Sequence, residues 1–109
     1  MKKSAEMSLM PFEATDASEL LGARIRTARK ARQWTQAELG ERAEISSNTI
    51  IKMEAGGLAI QLGFYLKALW ALDLINSFSS LLEPLGQSAG EIALMEASMP
   101  KRIRKKKQG

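Results

Sequence analysis

The sequence predicts an all-α fold, from three observations. Two capping boxes, Asp16-Ala-Ser-Glu19 and Thr35-Gln-Ala-Glu38, each precede an apolar pattern of helical period. No stretch alternates polar and apolar residues as a half-buried strand does. Breaks containing Gly, Ser or Pro separate the periodic stretches and leave room only for short turns. With 109 residues, the chain can bury one compact core flanked by tails.

The first helix is expected over residues 17–32, capped by the Asp16 carboxylate, with Leu21, Ile25 and Ala28 inward and Arg24, Arg26, Lys30 and Arg32 mostly outward. After a short turn at Gln33-Trp34, Thr35 caps a second helix reaching Ala43, with Leu39 and Ala43 inward. Ser46, or Ser47 beside it, caps a third to about Ala55. Its inward residues are Ile50 and Met53, and Gly56-Gly57 ends it because glycine tolerates the left-handed cap conformation. Ile60 to Leu72 reads as a fourth helix. Asn76 can cap a fifth, reaching about Glu83 before Pro84. Residues 16–83 thus form a compact five-helix domain. Residues 1–15 are expected as a flexible arm, 84–100 as a linker able to hold a short helix around Ile92, Leu94 and Met95, and 101–109 as a basic tail, with both termini disordered.

Composition excludes much chemistry. Without His or Cys the chain has no imidazole or thiolate for a zinc finger, a His-bound metal, a catalytic Cys, a Ser-His-Asp triad or a disulfide. No catalytic residue, metal or cofactor is expected, and the protein is not read as an enzyme. Glu6 and Pro11 interrupt the apolar region that a signal peptide needs after Lys2-Lys3. Lys67 and Asp73 interrupt the most apolar stretch, so no membrane association is expected.

The formal net charge of +4 is unevenly distributed. Residues 1–23 carry −2, residues 24–54 carry +3 and residues 55–100 carry −3, while Lys101, Arg102, Arg104, Lys105, Lys106 and Lys107 make the tail +6. Such a tail is either a solubilising end or an arm for nucleic acid or an acidic partner.

The informative stretch is Thr35 to Glu54, TQAELGERAEISSNTIIKME. Two short helices, a turn of three or four residues and small residues at the crossing (Gly40, Ala43) meet the requirements of a helix-turn-helix. The second helix of such a pair enters the major groove, and the N-terminus of the first sits against a phosphate.

At this point the chain resembles the Cro/phage-repressor (Xre) type helix-turn-helix regulators. The resemblance lies in a basic first helix LGARIRTARKARQW, then TQAEL, a small residue further along, an isoleucine before a Ser-rich turn, and the ending MEAG. It covers about residues 18–75 and implies a lambda-repressor-like DNA-binding domain acting on double-stranded operator DNA, in a cytoplasmic, nucleoid-associated protein. By that resemblance Gln36 sets its amide and the adjoining N–H groups on a phosphate. Ser46, Ser47, Asn48, Thr49 and Lys52 line the groove side of the third helix, Asn48 suited to adenine and Lys52 to guanine or a phosphate. Arg29 is implied both as a DNA contact and as the ion-pair partner of Glu54.

Two positions depart from the family pattern. Glu44 stands where the family usually has Gly, so either it adopts a left-handed conformation or the turn differs. Ile51 projects toward the groove side, where it meets a thymine methyl or packs on a neighbouring loop.

Members of this class bind as dimers to half-sites about 34 Å apart. Trp70, Phe78, Leu81 and Leu82 are the candidate interface of a homodimer, or else they close the monomer core. The sequence ALDLINSFSSLLEPL, a linker and the terminal PKRIRKKK resemble HipB-type antitoxins of HipA-kinase toxin–antitoxin operons. This implies an autoregulatory repressor partnered by a HipA-like serine/threonine kinase and by a further small antitoxin protein. The alternative is an interaction module that mainly sequesters the kinase, with weak DNA binding.

Overall fold

The computed structural model describes residues 9–83 and 88–101. These contain six helices and no strand: α1 (Phe12–Ala31), α2 (Gln36–Ala43), α3 (Ser47–Glu54), α4 (Leu62–Ala71), α5 (Ile75–Ser80) and α6 (Ala89–Ala97). The fold is all-α as expected, and α6 falls where the sequence offers a linker with a short helix. Residues 1–8 of the expected arm, 84–87 of the linker and 102–109 of the tail lie outside the described residues.

Helix α1 starts at Phe12 rather than at residue 17. Pro11 sets this boundary: proline lacks an N–H and has a fixed φ, yet its carbonyl is free to accept the first helical bonds. It accepts from Ala14 and Thr15 at 3.0 and 3.1 Å. Asp16 therefore lies inside the helix and caps nothing. Ser18, from the same expected box, donates to the Gly56 carbonyl at 2.9 Å. The Thr35 box forms in full: the Thr35 hydroxyl accepts from the Glu38 N–H at 3.0 Å, and the Glu38 carboxylate accepts from the Thr35 N–H at 2.7 Å.

Helix α4 begins two residues late because Ile60 packs on the core instead of entering the helix. Helix α5 begins at Ile75, so Asn76 is an interior residue. The chain enters α5 through Asp73 at φ 64°, and the Leu74 N–H closes onto the Leu69 carbonyl at 2.7 Å.

Packing divides the described residues into two compact units, with the division between Phe78 and Ser79. In the first, α2 packs on α3 and α4, and α1 packs on α3. Ile25, Leu39, Ile50, Met53 and Leu72 are fully buried, with Ala43, Ile45, Tyr65, Ala68 and Leu69 completing the core. Each large apolar side chain buried this way stabilises the fold by roughly 1.5–3 kcal/mol. Gly22 permits the α1–α3 crossing, since a Cβ there would lie 2.5 Å from the Met53 carbonyl oxygen. In the second unit, Ser88 and Glu91 form a capping box on α6. The donated Ser88 N–H holds the Glu91 carboxyl below its usual range.

Candidate nucleic-acid interface

Helix α2 stops at Ala43, and the chain reverses through Glu44, Ile45 and Ser46 before α3 begins. Glu44 adopts the left-handed conformation, φ 58° and ψ 48°. The turn therefore keeps the geometry that glycine would take, at a strain of about 1 kcal/mol for an L-residue. The Ile45 N–H donates to the Gly40 carbonyl at 2.7 Å and its side chain is buried, which pins the turn to the core. Gly40 is required by this reversal, because a Cβ would sit 2.5 Å from the Ile45 carbonyl oxygen.

Ser46 is the cap of α3. Its hydroxyl accepts from the Thr49 N–H at 3.2 Å and pairs with the Thr49 hydroxyl at 2.9 Å. Ser47, Asn48 and Lys52 are exposed and make no side-chain hydrogen bond or ion pair among the described residues. Ile51 is 46% exposed on the same outer surface, while Ile50 and Met53 face the core. One face of α3 is thus committed to packing and the other carries three unengaged polar groups beside an isoleucine.

Glu54 anchors the inner end of this helix. Its carboxylate accepts from Arg29 Nε at 2.6 Å and Nη2 at 3.0 Å, and from Gln36 Nε2 at 3.1 Å. Arg29 Nη1 donates to the Trp34 carbonyl at 2.8 Å. Hydrogen bonding to Glu54 raises the Arg29 pKa above its ordinary value and the Glu54 charge adds to this, against the opposing effect of burial. One carboxylate therefore joins α1, α2 and α3, and Arg29 ties the α1–α2 turn to it. Arg29 is 8% exposed, and its guanidinium is engaged by Glu54 and by the Trp34 carbonyl. One Gln36 amide N–H likewise points to Glu54.

The end of α3 is held from two further sides. The Gly56 carbonyl accepts from Ser18 of α1, and the Gly57 carbonyl accepts from the Tyr65 hydroxyl of α4. Neither contact is legible in the sequence, since both depend on how distant helices cross. Trp34 carries more than a turn: Arg42 lies over its ring at 4.2 Å and Arg32 at 5.7 Å. A large apolar residue immediately before the Thr35 cap is the staple position, a signal that could have marked it. Of the candidate interface residues beyond α3, Phe78 packs against the core, whereas Trp70 is 66% exposed and Leu81 and Leu82 are exposed.

A family model described as a helix-turn-helix domain matches residues 20–74, just over half of the chain. The chain belongs to the helix-turn-helix domain family. The match spans α1 to α4 with the turn at Glu44 to Ser46, and it makes this a DNA-binding regulator of the Xre-like kind. No curated protein and no solved structure matches the chain. Among the described residues, no helix is long and apolar enough to cross a membrane.

Proposed function

We propose that this helix-turn-helix protein is a sequence-specific transcriptional repressor that reads operator DNA through the outer face of α3. The observation that carries this reading is the unengaged row of Ser47, Asn48 and Lys52 on a helix whose inner end is locked by Arg29, Glu54 and Gln36. Fixed placement matters because base readout needs side chains held at defined positions against the groove. Asn48 suits a bidentate contact with adenine, and Lys52 suits guanine or a phosphate. Ser46 and Thr49, bonded to each other, mainly fix the start of the helix.

The repressor acts as a dimer on a palindromic operator, a reading supported by the exposed Trp70, Leu81 and Leu82. The sequence layout supports the narrower assignment as the HipB-like antitoxin and autoregulator of a toxin–antitoxin operon, bound by a HipA-like kinase. Exposed Leu9 and Phe12 favour a second reading, in which holding that kinase is the main task.

Selection of bound duplexes from a random pool, followed by titration of the recovered sequence, tests the leading reading. A recovered palindrome bound far more tightly than scrambled duplex is the expected result. Equal affinity for both overturns sequence-specific repression. Co-expression with the kinase encoded beside it, where one is found, tests the second: a stable complex that no longer binds duplex supports sequestration over co-repression.

A further inference from the structure

Two cations on α1 face the recognition helix and have no role in the interface described so far. An open cleft of about 290 Å³ lies between α1, α2 and α3, lined by Arg26, Arg29, Lys30, Gln36, Ile51 and Glu54. Arg26 and Lys30 stand one helical turn apart, both exposed. Neither side chain makes a hydrogen bond or ion pair among the described residues. The carboxylate lining the cleft does not neutralise them, because Glu54 is buried and already accepts from Arg29 and Gln36. Two like charges at this spacing repel each other, and a bound anion reverses the sign of that interaction.

The opposite wall supplies the direction. Ile51 belongs to the exposed face of α3 that also carries Ser47 and Asn48, so the cleft opens beside the surface proposed to read bases. One of the two Gln36 amide N–H groups is committed to Glu54, which holds that side chain along the cleft wall. Arginine supplies a planar fork matched to phosphate oxygens, and lysine a mobile point charge.

We propose that Arg26 and Lys30 clamp one backbone phosphodiester of the bound duplex and so set the register of α3 in the groove. This rests on the DNA-binding reading of α3. The test uses the full chain and two labelled duplexes, one of mixed sequence and one recovered by selection, titrated by fluorescence anisotropy over a salt series. R26Q/K30Q is expected to weaken both duplexes by the same factor and to lower the slope of log K against log salt by about 0.9, the loss of one phosphate contact.

R24Q/K67Q removes the same charge from exposed positions outside the cleft and is expected to leave the slope unchanged. R26K is expected to retain most of the slope, and thermal melting checks that each variant is folded. An unchanged slope in R26Q/K30Q, or equal losses in both double variants, overturns the clamp while leaving the DNA-binding reading intact. A wild-type chain that binds neither duplex overturns both.

Discussion

Arg29 and Glu54, on α1 and α3, meet in a two-point ion pair with Nε–Oε2 at 2.6 Å and side chains 10% and 3% exposed. A buried pair adds little over an apolar replacement, but loss of one partner strands the other charge. Glu54→Ala is therefore expected to destabilise the fold by about 3–5 kcal/mol. Joint replacement of Arg29 and Glu54 by methionine and leucine should recover much of that loss. Urea denaturation of the single and double variants measures both, and a double variant no more stable than Glu54→Ala would sink the argument.

The contact of Gly22 with Met53 gives a second expectation. A Cβ on Gly22 meets backbone oxygens of Met53 and Glu54 at 2.5 and 2.8 Å, and neither can swing away as a side chain would. Gly22→Ala should cost about 1–3 kcal/mol despite alanine's higher helix propensity. Gly63→Ala, on α4 with nothing within 4 Å, should instead stabilise by about 0.4–1 kcal/mol. Thermal melts of the two variants should shift in opposite directions.

Glu44 holds the left-handed turn between α2 and α3. Glu44→Gly removes the Cβ strain and is expected to raise stability by about 0.5 kcal/mol, the relief being partly offset by the greater freedom of glycine in the unfolded chain. Duplex affinity should stay unchanged, because the turn geometry is already the one glycine prefers. A marked affinity change would mean that Glu44 itself faces the DNA.

Burial raises the pKa of the Tyr65 phenol above its ordinary 10.0. A raised folded value means that the folded state binds this proton more tightly. The associated stability is fully present below the unfolded value near 10 and is lost as pH rises through the folded value. Only the neutral hydroxyl can donate to the Gly57 carbonyl. Tyr65→Phe should abolish this part of the alkaline destabilisation while lowering stability at neutral pH by about 1 kcal/mol. Denaturation curves at pH 8 and pH 11 compare the two proteins.

Asn48 and Gln36 should separate by profile. Asn48→Ala is expected to relax base preference at one operator position by about 1–3 kcal/mol. Gln36→Ala should weaken all duplexes alike, since it loosens α2 from Glu54 without touching a base. Binding to a set of single-base operator variants distinguishes these outcomes, and identical profiles would remove Asn48 from the reading face.

Local patterns in the sequence carried most of the helix map. The Thr35–Glu38 box and the Ser46 cap depend on residues three apart, so their spacing alone predicts them. The Asp16 box had equally good spacing and failed, because Pro11 offered an earlier start and left Asp16 inside the helix. The Arg29–Glu54 partnership came from family resemblance, whereas the bonds from Gln36 to Glu54 and from Arg29 to the Trp34 carbonyl had no sequence signal.

The all-α class, the helix-turn-helix stretch and the polar outer row of α3 are legible in the residues alone. These follow from periodicity, caps and small residues within a few positions of one another. Which polar groups stay free is set by how the helices pack. All four of Arg26, Arg29, Lys30 and Gln36 line one open cleft, yet Arg29 and Gln36 bond to Glu54 while Arg26 and Lys30 have no such partner. The physical reason is that partner choice depends on where distant helices cross, and close approach at Gly22 and Gly40 sets those crossings.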